Sequence, residues 1–254
     1  MKNPFDLTGQ RALVTGGGRG LGLGMAEGLA QAGAKVVILG SSDAVLKAAD
    51  DVRAKGLDVT GVRGDLSDRE NLPTLFETAI APLGGGIDIL VNNAGVQRRN
   101  PCTEFTLEDW DTVLNVNLNA VFVLCQLAGR KMIAQGSGKI VNLASMLSFF
   151  GGFTVPAYAA SKGAVAQLTK ALCNEWAGKN VQVNAIAPGY MDTEMNTALT
   201  DPANPRFKEI TDRIPAHRWG KPEDMAGLVV FLSSAASDYI NGAIIPVDGG
   251  YMVK

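Results

Sequence analysis

The chain has 254 residues, of which 46% are hydrophobic and 19% charged, with a formal net charge of −2. A chain this long buries roughly 70–75% of the surface its unfolded form exposes, so it needs no covalent staple. Its near-neutral charge, with no Lys/Arg cluster along a face, argues against nucleic acid or an anionic membrane as partner.

Arg11–Thr15 reads as a short buried strand, followed by the glycine-rich run 16–22 and an Ala/Leu/Met-rich helix to about Ala32, with Gly33 at its C-cap. Lys35–Leu39 is a second apolar strand. A helix from about Ala44 to Lys55 follows, with Ser42 or Asp43 as N-cap. Asp58–Val62 is a third strand, then a helix covers about Arg69 to Ala81. Ile87–Val91 is a fourth strand, closing on Asn92-Asn93-Ala94-Gly95. A long helical region spans about Leu107 to Gln135, with a break expected near Trp110. Lys139–Leu143 is a fifth strand, and the helix carrying Tyr158 runs to about Ala177. Val181–Ile186 is a sixth strand, ending in Pro188-Gly189. Residues 190–215, with Pro202, Pro205 and Pro215, read as a loop-rich, mobile substrate lid. A helix over Pro222–Ser233 precedes a last strand, Ala243–Val247. Continuous apolar strands alternating with helices specify an α/β fold. The expected architecture is a Rossmann-type doubly wound parallel sheet of about seven strands, helices on both faces, in a single domain over residues 1–254.

The three cysteines, Cys102, Cys125 and Cys173, follow no metal or redox spacing and are expected to be reduced thiols. The single histidine, His217, excludes His-rich metal sites and disfavours a Ser-His-Asp triad; no metal site is expected. Residues 1–6 have no apolar h-region, and no run of about 18 apolar residues follows, so a cytoplasmic protein without a membrane span is expected.

Chemistry concentrates in two stretches. Tyr158 and Lys162 stand four apart, on one face of a helix, and an ammonium beside a phenol favours the phenolate. That arrangement suits a general acid–base. Ser145, after the fifth strand, is placed to hold an oxygen against the phenol. In the first stretch, glycines 16, 20 and 22 sit between a strand and a helix. They let backbone amides and the helix N-terminus approach a pyrophosphate. The second strand ends in Leu39-Gly40-Ser41-Ser42, without the carboxylate that would hold an NAD ribose, and Arg19 stands in the glycine loop. This favours NADP(H), with NAD(H) possible.

Taken in order, these motifs resemble the short-chain dehydrogenase/reductase family almost end to end. Thr15-Gly16-x-x-x-Gly20-x-Gly22 is similar to its cofactor loop, Asp65 to its adenine-contacting aspartate, and Asn92-Asn93-Ala94-Gly95 to the turn after its fourth strand. Asn117, Ser145, Tyr158 and Lys162 match its catalytic residues. Pro188-Gly189 and Thr193 match the segment at the nicotinamide carboxamide, and Val247-Asp248-Gly249-Gly250 matches its C-terminal signature. The resemblance implies cofactor contacts at Gly16, Gly18, Arg19, Gly20, Leu21, Gly22, Ser41, Ser42, Asp65, Leu66, Asn92, Ala94, Gly95, Tyr158, Lys162, Pro188, Gly189, Met191 and Thr193. It implies that Tyr158 exchanges the proton, Lys162 lowers its pKa and holds the ribose, Ser145 binds the substrate oxygen, and Asn117 positions a relay water. It also implies a homotetramer built on the helices at about 107–135 and 156–177.

Gly95-Val96-Gln97-Arg98-Arg99, Ala144–Phe149, Ala187–Met191 and Ile214–Gly220 resemble the branch acting on sugar acids of gluconate, 2-deoxygluconate or 2-keto-3-deoxygluconate type. Substrate contacts are then expected at Arg98, Arg99, Ser145, Met146, Tyr158 and Tyr190, with Phe149 and Met191 as further pocket candidates. Arg98 and Arg99 suit a carboxylate, which guanidinium binds bidentately. His217 reads as a lid or surface residue. Two alternatives stay open: the same chemistry on another carbonyl (3-oxoacyl, polyol or steroid-like), and a catalytically silent dinucleotide-binding regulator.

Overall fold

Seven apolar runs form strands β1 (Arg11–Thr15), β2 (Lys35–Gly40), β3 (Val59–Arg63), β4 (Ile89–Asn92), β5 (Gly138–Leu143), β6 (Val181–Pro188) and β7 (Ile244–Val247). The computed structural model describes residues 3–254, Met195 by its backbone alone. All seven strands pair in parallel in the order β3-β2-β1-β4-β5-β6-β7. Leu13 of β1 lies between Val37 of β2 and Leu90 of β4. The α-helices are α1 (Gly20–Gln31), α2 (Ala44–Arg53), α3 (Leu72–Ile80), α4 (Leu107–Leu114), α5 (Ala120–Gln135), α6 (Pro156–Trp176), α7 (Thr197–Thr200), α8 (Pro205–Arg213) and α9 (Ala226–Ser233).

Alternate strand side chains enter two cores, as the period of two requires. On one face Val14, Val36 and Ile38 pack with Met25 and Leu29 of α1, Val52 of α2 and Val229 of α9. On the other, Leu13, Val37 and Leu90 pack with Phe76 of α3, Leu124 of α5 and Leu172 of α6. The chain moves outward from β1 to β3, then returns to the opposite side at β4. Loops leaving β1 and β4 therefore diverge and open a crevice at the carboxyl ends of the strands.

Two sequence expectations need correction. The helical run Leu107–Gln135 is not broken at Trp110; Thr106 caps α4 by accepting a hydrogen bond from Asp109 N at 3.1 Å. The irregularity comes later, as a π-helical turn over Asn115–Asn119 that carries Asn117. This 29-residue run is apolar enough to cross a membrane by length and composition. Its apolar residues Val121, Leu124, Ala128 and Met132 belong to the core beneath the sheet. The second correction is the lid. Residues 190–215 hold α7 and α8, and Pro205 occupies the first turn of α8, where a missing N–H costs nothing. Ile210 and Ile214 join Met146, Trp219 and Tyr251 in a small third core.

Candidate active site

A cleft of about 750 Å³ runs across the carboxyl ends of the strands, lined from the glycine loop through Tyr158 and Lys162 to Thr193. At one end, Thr15 joins the turns after β1 and β4: its hydroxyl accepts from Asn93 N at 3.1 Å and Ala94 N at 3.0 Å. The Asn93 side chain returns Nδ2–H to Thr15 O and Gly16 O at 2.9 and 3.1 Å. A Cβ on Gly22 would lie 2.2 Å from Gly16 O and 2.4 Å from Asn93 Nδ2, so only glycine lets α1 start this close to the turn. Arg19 precedes α1 without a side-chain cap bond, and no acidic residue stands in the first turn. The first amides and the positive end of the helix dipole are left for an anion.

The tip of β2 carries exposed Ser41 and Ser42 and no carboxylate. Asp43 is turned away into an ion pair with Arg63 at 3.0 Å. Asp65 lines the cleft and accepts from Ser67 N at 2.8 Å. Arg19 forms an ion pair with Glu194, which bridges the glycine loop to the segment after β6. Free helix-terminal amides, hydroxyls and an arginine form a donor set that fits a phosphorylated dinucleotide.

At the other end, Pro156 opens α6 and places Tyr158 and Lys162 one turn apart. Lys162 is buried, and its Nζ donates to Leu143 O at 2.5 Å while lying 5.7 Å from the Tyr158 ring centroid. Burial pushes its pKa down from 10.5 to about 8. Burial pushes the Tyr158 phenol up, and a hydrogen bond with the Ser145 hydroxyl pulls it partly back. The Lys162 ammonium thus lies between a backbone carbonyl and the Tyr158 ring. Ser145 is set by a capping box. Its Oγ accepts from Leu147 N at 3.1 Å, and its N donates to Ser148 Oγ at 3.2 Å. The Ser148 hydroxyl donates in turn to Lys162 O at 2.7 Å, joining the serine turn to α6.

The structure separates the remaining candidates. Gly16, Gly18, Arg19, Gly20, Leu21, Gly22, Ser41, Ser42, Asp65, Leu66, Ala94, Gly95, Arg98, Ser145, Tyr158, Lys162, Pro188, Gly189, Met191 and Thr193 line the cleft. Five expectations are corrected, those for Asn92, Arg99, Met146, Tyr190 and Phe149. Asn92 is buried and donates to Asn142 Oδ1 at 2.9 Å and Cys125 Sγ at 3.2 Å, beneath the cleft rather than in it. Asn117 is buried; its Oδ1 accepts from Val96 N at 2.8 Å and its Nδ2 donates to Val96 O at 2.9 Å. Its carboxamide thus ties the π-helical turn to the segment after β4. Arg99 turns outward to Phe153 O and Thr154 Oγ1, both at 3.1 Å. Met146 is buried in the small third core. Tyr190 packs edge-on to Trp219 and Tyr251, each ring 5.2 Å away, and faces a smaller hollow behind Met191. Phe149 is exposed outside the cleft. Sequence reading missed Gln97, Val96 and Glu194 as lining residues, and Ser148 as a positioning one. Of these, only Ser148 left a signal, the three-residue spacing of a capping box.

Residues 16–252 match a family model described as enoyl-(acyl carrier protein) reductase. A 2-dehydro-3-deoxy-D-gluconate 5-dehydrogenase from Dickeya dadantii is 49% identical over 256 residues, covering 99% of each chain. The chain belongs to the short-chain dehydrogenase/reductase family. A gluconate 5-dehydrogenase from Gluconobacter oxydans is 43% identical, covering 98% of this chain and 97% of its own. A crystal structure of a gluconate 5-dehydrogenase from Burkholderia cenocepacia, in complex with NADP and tartrate, superposes with a TM-score of 0.93. It is 43% identical and covers 99% of this chain and 98% of that chain. Members of this family are NAD(P)-dependent oxidoreductases, and this chain is one.

Proposed function

We propose that the enzyme interconverts a keto sugar acid and its secondary alcohol, of gluconate, 2-deoxygluconate or 2-keto-3-deoxygluconate type, with NADP(H) preferred over NAD(H). The observation that carries this reading is that Ser145, Tyr158 and Lys162 line one end of a dinucleotide-shaped cleft that Arg98 also lines. When bound, the nicotinamide supplies hydride chemistry. Tyr158 gives its proton to the substrate oxygen in reduction and takes it back in oxidation. The Ser145 hydroxyl hydrogen-bonds that oxygen and stabilises the charge developing there. The buried ammonium of Lys162 helps hold the ribose and keeps a positive charge beside the phenol as it ionises. Gly18, Gly20, Leu21 and Gly22 present the amides for the pyrophosphate, and Arg19, Ser41 and Ser42 hold the 2′-phosphate. Arg98 is paired with Asp109 at 3.1 Å, and a substrate carboxylate would take over that guanidinium. The names of the full-length relatives support the sugar acid. A cytoplasmic homotetramer completes the reading, consistent with the part-exposed Phe122 on α5.

The test is NADPH and NADH oxidation against keto sugar acids, a 3-oxoacyl thioester, a polyol-type ketone and a steroid ketone. A keto sugar acid with NADPH is expected to be turned over fastest. Faster turnover of a carboxylate-free ketone would overturn the substrate assignment. NADPH binding without turnover of any carbonyl would instead make the chain a silent dinucleotide-binding regulator.

A further inference from the structure

Thr154 adopts φ +62°, in the left-handed region that a β-branched residue rarely enters. Such strain persists only where neighbours enforce it, and it gathers near active sites. Here the enforcing neighbour is Arg99. Its Nη1 donates to Phe153 O and to Thr154 Oγ1, both at 3.1 Å, and the Thr154 hydroxyl donates on to Phe153 O at 2.6 Å. The adjacent Asn100 N donates to Thr154 O at 3.0 Å. Three bonds thus join the segment after Arg98 to the turn just before α6. That turn leads through buried Val155 to Pro156 and, two residues later, Tyr158. Both tied segments lead into residues that line the cleft: one to Gln97 and Arg98, the other to Tyr158.

The geometry points to Arg99 as a positioning residue: it holds the left-handed turn at Thr154 and so sets the start of α6 and the placement of Tyr158. This rests on Tyr158 as the proton donor. Arg99 then has no part in binding the substrate carboxylate, and its loss affects every carbonyl alike. The turn is what matters, so a residue that favours the left-handed conformation unaided makes the arginine dispensable. Glycine is such a residue.

The test compares wild type, R99A, T154G and R99A/T154G. In R99A, kcat is expected to fall about tenfold on a keto sugar acid and on a neutral ketone by the same factor, with the Kd for NADPH unchanged. Thr154→Gly alone is expected to stay within about twofold of wild type, and R99A/T154G to recover most of the lost kcat. Amide hydrogen exchange over residues 155–160 is expected to accelerate in R99A and to slow again in the double variant. This readout is independent of which carbonyl is the substrate, so failure of the substrate assignment leaves the inference testable. A rise in KM confined to carboxylate substrates, or no rescue by glycine in either rate or exchange, would overturn it.

Discussion

Lys162 carries a charge that the fold buries almost completely beside the cleft, and replacing it with methionine isolates the energetic consequence. The side chain is 4% exposed, and its one hydrogen bond runs to Leu143 O. Burial lowers its pKa from 10.5 to about 8. Below pH 8 both folded and unfolded chains hold the proton, and the folded state carries the full penalty. Between pH 8 and 10.5 the unfolded chain keeps a proton that the folded chain releases, so stability rises with pH. At 1.36 kcal/mol per pH unit, the full span is worth about 3 kcal/mol. Tyr158 acts oppositely: its pKa is raised, so it removes stability as pH rises past about 10. The informative window is therefore pH 7–9.5. Lys162→Met keeps the stem and removes the charge, at the cost of one hydrogen bond worth about 1 kcal/mol. The cofactor-free variant is thus expected to be about 2 kcal/mol more stable than wild type at pH 7, with the gap shrinking as pH approaches 9.5. Urea unfolding at several pH values measures both curves. Parallel curves for the two proteins would refute the claim that Lys162 is a desolvated charge.

Tyr158→Phe removes the proton donor but leaves the glycine loop intact; kcat is expected to drop by about 10²–10⁴-fold while the Kd for NADPH stays within about threefold, checked by fluorescence titration. Glu194→Gln frees Arg19 from an exposed ion pair, so NADPH is expected to bind up to about fivefold tighter relative to NADH, and Arg19→Ala is expected to shift the same ratio the other way. Gly22→Ala forces a methyl to 2.2 Å from Gly16 O, so NADPH affinity is expected to fall at least about tenfold and unfolding to move to lower urea.

Much of the site was legible because its signals are local. The four-residue spacing of Tyr158 and Lys162 puts both on one turn of helix wherever the helix packs. Strand, glycine run and helix in succession make a phosphate-ready amide cradle whatever surrounds it. Side-chain direction in irregular segments has no such local rule. Arg98 and Arg99 are adjacent and chemically alike, yet one faces the cleft and the other ties down the turn at Thr154. Asn92 and Asn93 diverge likewise, one into a buried amide pair with Asn142 and the other across to Thr15 and Gly16. Pro205 reads as a loop former, but its place at the head of α8 depends on the lid packing beneath it.

Periodicity and apolar run length alone determined the alternation of strands and helices, and with it the parallel sheet, because those patterns act over a few residues. The spacing of Tyr158 and Lys162 and the glycine run between β1 and α1 were legible from equally local signals. Tertiary structure decided the electrostatics of the pair: Lys162 is buried and bonded to Leu143 O as well as lying over the Tyr158 ring, because the β5 end and α6 close over it. It also decided which of two neighbouring arginines lines the cleft, since that follows from which segment, remote in sequence, lies across each side chain.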